Sequence, residues 1–188
     1  MLLAAALFVA MFTLYIAKHP VGLTANVAST AANKGVLLAL VAMAQTIPVL
    51  TSGLDLSVGM VLVLTNCLAS GIVVGSPAEI TLGTLAVLAV GVLCGAVNGA
   101  VVVYGRIQPI IATLATSSIY YGVALAIRPA PGGDVATGVA DALTGSLPGG
   151  IPASLLVLLG VVVVVWIPYR RSRSEERRGG KECRYRWW

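Results

Sequence analysis

Six long apolar runs without a charged residue constrain what this chain can fold into. Each has 17 to 24 residues, and they are Met1–Ala17, Gly35–Thr51, Leu56–Gly75, Ile80–Val103, Ile107–Ile127 and Ile151–Ile167. An α-helix of about 20 residues, rising about 1.5 Å per residue, crosses a hydrocarbon core of about 30 Å. Lipid offers the backbone no hydrogen-bond partner, so a spanning run must bond within its own helix. We therefore expect an all-α, polytopic transmembrane helix bundle with about six spans.

The composition agrees with a membrane protein. Hydrophobic residues make up 58% of the 188 residues and charged residues only 10%, whereas about a quarter of a soluble domain is charged. The net charge of +5 lies entirely in residues 170–188, because residues 1–169 hold four basic and four acidic side chains. A basic excess confined to one end does not indicate a nucleic-acid partner, and we expect none.

Polar linkers separate the runs. We interpret Lys18–Lys34 as a polar loop, Ser76–Glu79 as a tight turn, and Pro129–Gly150, which is rich in Pro and Gly, as an exposed loop. The basic residues 170–188 favour a cytoplasmic C-terminus by the positive-inside rule. An even number of spans then places both termini in the cytoplasm and Pro129–Gly150 outside.

One run carries small residues at regular spacing. Gly91, Gly95 and Gly99 recur every four residues and therefore lie on one face of a helix. Such stripes let two membrane helices approach closely. We interpret the three glycines as a helix-packing face and not as a site of chemistry.

A carboxylate lies between two runs that are joined by almost no loop. Asp55 would be costly in lipid, so it should face protein, water or a helix end. Either Asp55 or Ser52 could cap the helix that we expect to begin near Leu56, because side-chain oxygens there accept from unpaired backbone N–H groups. The alternative is that Asp55 lies on a transport pathway or gate.

The run Ile107–Ile127 carries a polar stripe. Spacings of three and four place four hydroxyl side chains on one face, with Tyr121 beside it; the four are Thr113, Thr116, Ser117 and Tyr120. Such a stripe suits a water-filled or sugar-lined cavity, although Ser and Thr can also bond back to carbonyls of their own helix. Gln45, shortly before Pro48, is a further candidate for the substrate pathway.

Two stretches of this sequence resemble a known family. Thr51-Ser-Gly-Leu-Asp-Leu-Ser-Val-Gly59 and Gly105-Arg-Ile-Gln-Pro-Ile-Ile-Ala-Thr-Leu114 are similar to segments of the permease subunits of bacterial ATP-binding-cassette importers for monosaccharides. The ribose, xylose, arabinose, galactose and autoinducer-2 systems belong there. The resemblance covers about residues 1–171, and its motif positions are Ser52, Gly53, Asp55, Ser57, Gly59, Gly105 and Arg106. Tyr121 departs from the arginine that many members carry, so the resemblance does not name the sugar.

The resemblance implies a mechanism and a set of partners. Two permease chains would form the pathway in the bacterial inner membrane, two ABC ATPase subunits would bind the cytoplasmic face, and a periplasmic sugar-binding protein would deliver the sugar. ATP would be used by the ATPase subunits, with no cofactor in this chain. Residues 1–171 would be the N-terminal part of the transmembrane permease domain.

Residues 172–188 do not resemble the family. This charged, Gly-containing stretch is similar to translated adapter sequence at the end of an incomplete gene, and we expect the permease to be truncated at its C-terminus there. The alternative is a native basic segment that binds anionic membrane lipid.

Enzyme chemistry finds no support in the sequence. There is no Gly-x-x-x-x-Gly-Lys-[Ser/Thr] loop for a nucleotide, and a single histidine, His19, argues against a metal site built on several histidines. Cys67, Cys94 and Cys183 show no CxxC pairing. We therefore expect a non-enzymatic permease without a metal. A secondary transporter or a non-transporting membrane scaffold are the alternatives.

Overall fold

The computed structural model describes residues 2–18, 24–50, 53–130, 132–147 and 151–169. Within these ranges the chain forms seven α-helices and a short π-helical stretch, and the helices are α1 (Leu2–Lys18), α2 (Ala25–Leu50), α3 (Val58–Ile72), α4 (Pro77–Gly105), α5 (Pro109–Ile127), α6 (Thr137–Thr144) and α7 (Ala153–Val161). The π-helical stretch, Val162–Trp166, continues α7. The expected all-α architecture of a membrane protein is confirmed. Ser52 and residues 172–188, to which the sequence analysis assigns roles, lie outside the described residues.

Three of the described helices, α2, α4 and α5, are long and apolar enough to cross a membrane. The apolar helices at residues 5–18, 58–72 and 153–169 are shorter. For example, α3 has 15 residues, or about 22 Å, which is less than the hydrocarbon core of about 30 Å. The six predicted apolar runs thus all form helices, while six crossings stay a prediction.

The tightest packing joins α3, α4 and α5. Leu64 of α3, Cys94 of α4, and Tyr120 and Ala124 of α5 form one buried cluster. A second group packs α2 against α7, and α7 also contacts α6. Many large apolar side chains on the outer faces are exposed, as expected for helices whose surroundings are hydrocarbon.

The predicted loop Lys18–Lys34 is largely wrong, because α2 already begins at Ala25. Thr24 precedes this helix, and its Oγ1 accepts from the amide of Val27 (3.4 Å), which is the bond of an N-terminal cap. The polar Asn33 is satisfied inside the fold, where it donates to the Thr144 carbonyl (2.9 Å) and accepts from Ser154 (2.5 Å). Tertiary contacts therefore extend the helix through residues that look like a linker.

The turn before α4 is shorter than predicted. Gly75 has a positive φ of 95°, and Ser76 then caps a helix that begins at Pro77. Glu79 accepts from the Ser76 amide (2.6 Å) while its own amide donates to Ser76 Oγ (3.4 Å). This reciprocal pair is a capping box, so residues 77–79 belong to the helix.

The described residues of Pro129–Gly150 are mostly exposed, as predicted, but they are not wholly a loop. The segment contains α6, and the amide of Ala136 donates to the carbonyl of Val73 at the end of α3 (2.9 Å). The amide of Ala153 also donates to the Gly145 carbonyl (2.8 Å). The segment is therefore tied to the ends of α3 and α7.

The close approach of α3 and α4 occurs at a glycine outside the predicted stripe. A Cβ on Gly83 would overlap the carbonyl group of Ile72 and lie 3.3 Å from Cα of Val73. Gly95 and Gly99 are exposed and would meet nothing within 4 Å, while Gly91 would meet only Thr65, at 3.9 Å. Packing of the stripe against a helix of another chain, or beyond the described residues, stays a prediction.

Candidate functional site

A non-helical stretch that is bonded to two neighbouring helices precedes α3. We call residues 53–57 the lead segment. It is bonded to two side chains that lie inside neighbouring helices: Asn98 is seven residues before the end of α4, and Thr113 is four residues after the start of α5. These offsets correspond to about 10 Å and 6 Å. Non-helical backbone inside a membrane is tolerated only where protein or water satisfies it.

Asp55 satisfies the start of α3. Its Oδ1 accepts from the amide of Ser57 (2.8 Å) and from Ser57 Oγ (2.6 Å). The helix begins at Val58, two residues later than the predicted Leu56. The N-cap residue of α3 is Ser57, and no side chain among the described residues caps the first amides of the helix. Asp55 therefore holds the residue that precedes the helix and does not cap the helix itself as the capping interpretation expects.

A chain of hydrogen bonds continues from Asp55 across three helices. Ser57 Oγ accepts from Asn98 Nδ2 (2.6 Å), and Asn98 Oδ1 accepts from the hydroxyl of Tyr120 (3.0 Å). The Tyr120 hydroxyl also lies 3.0 Å from the Cys94 carbonyl. We call Asp55, Ser57, Asn98 and Tyr120 the polar chain. Its last three members are buried, so neighbouring protein groups replace water as their partners.

Thr113 holds the backbone of the lead segment. Its Oγ1 accepts from the amide of Leu56 (3.1 Å) and donates to the Pro109 carbonyl of its own helix (2.8 Å). Without this contact the Leu56 amide would have no acceptor among the described residues. Thr113 therefore provides the acceptor for the Leu56 amide, as Asp55 provides the acceptor for the Ser57 amide.

The hydroxyl stripe of α5 faces its neighbours α3 and α4. Thr113, Thr116, Ser117 and Tyr120 are all buried, whereas Tyr121 is 47% exposed. Thr116 Oγ1 donates to the Thr113 carbonyl (3.2 Å) and Ser117 Oγ to the Leu114 carbonyl (2.6 Å). These are the back-bonds of the alternative interpretation. A role for these residues and Tyr121 in the substrate pathway stays a prediction.

A cleft of about 480 Å³ opens beside the lead segment. It is lined by Val49, Gly53, Leu54, Gln108, Pro109 and Ile110, and its volume lies in the range of small-molecule sites. Gln45 is half-buried one helical turn before Val49 but is not among the lining residues. The role of Gln45 in the pathway also stays a prediction.

The motif residues differ in what they contact. A Cβ on Gly53 would lie 3.2 Å from the Pro109 ring, whereas one on Gly59 would meet nothing within 4 Å. Gly105 ends α4, and Arg106 follows it with a left-handed φ of 52°. This conformation is uncommon for a residue with a side chain, and it turns the short link between α4 and α5.

Asn98 is the polar-chain member that sequence reasoning missed. It is the only amide side chain in the run Ile80–Val103, and it lies seven residues after Gly91 and four after Cys94. A lone amide in an apolar membrane helix is a signal for a buried hydrogen bond. Among the described residues, no three side chains of His, Cys, Asp or Glu come together as a metal site.

Comparison with known proteins gives one family and several relatives. Residues 27–174 match the family described as the permease component of the branched-chain amino acid transport system. The ribose import permease protein of Escherichia coli K12 is 35% identical over 141 residues, covering 72% of this chain and 43% of the relative. Its Haemophilus influenzae counterpart is 34% identical over 131 residues, covering 69% and 38%.

A third relative matches over more of the chain. The autoinducer 2 import system permease protein of E. coli O9:H4 is 26% identical over 182 residues, covering 90% of this chain and 53% of the relative. The chain thus spans about half the length of the curated relatives it matches. No solved structure matches the chain significantly.

Proposed function

Because the chain belongs to the family of branched-chain amino acid transport permease components, we propose that it is part of a permease that imports a monosaccharide. The family consists of transport permeases and not of enzymes. The observation that carries the choice of substrate class is the 35% identity to a ribose import permease over 72% of this chain. The autoinducer 2 import permease adds a second relative that is named for import.

The proposed mechanism is alternating access driven by partners. The permease pairs with a second permease chain, cytoplasmic ABC ATPase subunits use ATP, and a periplasmic sugar-binding protein delivers the sugar. A partner can shift the equilibrium between two permease conformations only as far as it binds them with different affinity. The tightly packed α3, α4 and α5 are the described elements that could move as one unit.

The experiment is uptake by a chimaera. Residues 1–171 are joined to the remaining C-terminal part of the E. coli ribose permease and expressed in a strain that lacks its own permease but keeps the ATPase and binding protein. We expect uptake of labelled ribose, and its loss when the ATPase is deleted. Uptake that continues without the ATPase would instead identify a secondary transporter. A chimaera that reaches the membrane but imports neither ribose nor any other monosaccharide tested would contradict the proposed function.

We also propose that the chain lies in the bacterial inner membrane with both termini in the cytoplasm. In this topology α6 lies outside and the α4–α5 link lies inside. We expect Ala142→Cys to react with a membrane-impermeant maleimide in spheroplasts, which lack the outer membrane but keep the inner membrane intact. Tyr104→Cys, at the other end of the fold, should react only after the inner membrane is opened. Cys67 and Cys183 are replaced in both proteins. Labelling of Tyr104→Cys before the inner membrane is opened, with labelling of Ala142→Cys only afterwards, would overturn the orientation.

A further inference from the structure

Asn98 of α4 joins the lead segment to Tyr120 of α5 through the polar chain. We propose that Asn98 is a positioning residue for transport, which fixes the lead segment, and with it the cleft wall formed by Gly53 and Leu54, against α4. This inference rests on the proposed function for its link to transport. The positioning itself follows from the hydrogen bonds of the lead segment.

The hydrogen bonds of Ser57 require a donor at position 98. Ser57 has one hydroxyl proton, and at 2.6 Å it is donated to the Asp55 carboxylate. Ser57 Oγ must therefore accept, and Asn98 Nδ2 is the donor. The Tyr120 hydroxyl has one proton and lies 3.0 Å from both Asn98 Oδ1 and the Cys94 carbonyl. An amide at position 98 can donate to Ser57 and also accept from Tyr120. A carboxylate at position 98 could not donate, and a hydrocarbon could do neither.

The lead segment depends on these side chains because it has little internal bonding. Its described anchors are the Gly53 amide on the Pro48 carbonyl (2.9 Å), the Leu56 amide on Thr113, and Ser57 on Asn98. Ser57 is 1% and Asn98 is 6% exposed, so water cannot replace their bond without local opening. The Ser57 carbonyl also accepts from the Val61 amide of α3 (2.9 Å), so loss of the Asn98 amide removes the bond of the segment to α4 and leaves its bonds to α3 and α5.

The loss of this bond affects the cleft because only two residues separate Ser57 from the cleft wall. Leu54 lines the cleft, and only Asp55 and Leu56 separate it from Ser57. The carbonyl of Leu54 also faces Thr113 Oγ1 at 3.5 Å, which is too long to hold it firmly. The Asn98–Ser57 bond is therefore the main anchor between the cleft wall and α4.

The test uses two cysteines as local and global reporters. In the full chain with Cys67→Ala and Cys183→Ser, Leu54→Cys reports on the half-exposed cleft wall, and the native, buried Cys94 reports on opening of the α3–α4–α5 bundle. The purified protein is treated with N-ethylmaleimide, and mass spectrometry follows each thiol. Leu54 is already 44% exposed, so Asn98→Leu is expected to raise the labelling rate at position 54 about twofold, as the packed part of this side chain becomes accessible when the lead segment moves more freely. Labelling at Cys94 should not change.

Two further variants make the result specific. Ser57→Ala breaks the same bond from the other side, so it should raise labelling at position 54 similarly, and the double variant should add little. Ser57→Ala also provides a second test of the proposal if the Asn98→Leu protein does not accumulate in the membrane. Asn33→Leu is the matched control, since Asn33 is an amide in another apolar helix with partners far from the lead segment, and it should leave position 54 unchanged. Equal increases at position 54 and Cys94 would show general loosening and would overturn the proposal, as would no change at position 54.

Uptake by the chimaera provides the link to transport. There Asn98→Leu should lower ribose uptake about tenfold, and Asn33→Leu should not. Increased labelling together with normal uptake would overturn the role in transport. Labelling needs no transport activity, so a chimaera that imports nothing would contradict the proposed function and still leave the positioning result standing.

Discussion

Gly83→Leu is expected to separate the C-terminal end of α3 from α4 and to lower the free energy of unfolding by about 3 kcal/mol. Even a single methyl group at this position would overlap the carbonyl group of Ile72. The obstacle is backbone and cannot rotate away. Val73 is held on both sides, because its amide donates to the Ala69 carbonyl and its carbonyl accepts from Ala136, both at 2.9 Å. The helices must therefore move apart, and the buried cluster around Leu64 and Cys94 loses contacts.

Gly95→Leu is the matched control on the same helix. A Cβ at Gly95 would meet nothing within 4 Å, and leucine favours a helix over glycine by up to about 1 kcal/mol. We expect Gly95→Leu to keep or slightly raise the melting temperature of the detergent-solubilised chain, and Gly83→Leu to lower it clearly. Equal losses would contradict the packing seen here. They would indicate instead that the stripe of Gly91, Gly95 and Gly99 packs tightly against another helix.

Asp55→Ala is expected to destabilise the start of α3 by about 2–4 kcal/mol, because two donors lose their shared acceptor. The amide and the hydroxyl of Ser57 both bond to Asp55 Oδ1. Ser57 is fully buried, so neither donor can turn to water without opening the structure. The hydroxyl could rotate away from position 55, but its neighbour Asn98 presents a donor to it.

Asp55→Asn separates hydrogen bonding from charge. The asparagine Oδ1 can still accept from both Ser57 donors, so we expect a loss below about 1 kcal/mol. Asp141→Ala, at an exposed carboxylate on α6, controls for the removal of a negative charge. Thermal unfolding in detergent and uptake by the chimaera are both measured. Normal stability with complete loss of uptake in Asp55→Asn would show that the charge itself serves transport, which contradicts a purely structural role of Asp55 as the acceptor for Ser57.

The secondary structure could largely be predicted from the sequence. Six apolar runs become helices because a membrane leaves the backbone no other way to satisfy its polar groups. The boundaries were less predictable. Ala25–Lys34 looks like a linker because it is polar, yet it is helical, and the polar Asn33 finds partners in residues more than 100 positions away. Local composition cannot reveal such partners.

The sequence by itself determined the fold class, the position of the apolar helices and the placement of four hydroxyls on one face of α5. The sequence also indicated Asp55 as a candidate site residue, because the free-energy cost of placing a carboxylate in lipid can be judged from the residue type alone. Only the tertiary structure decided which glycine allows the close approach of α3 and α4, and which amide side chain joins the polar chain. Gly83 and Gly95 cannot be distinguished from the sequence. They differ in how closely the backbone of another helix approaches them. Asn98 gains its importance from Ser57 and Tyr120, which lie 41 and 22 residues away in the chain. Hydrogen bonds between helices depend on distances that folding creates, and a linear pattern does not contain them.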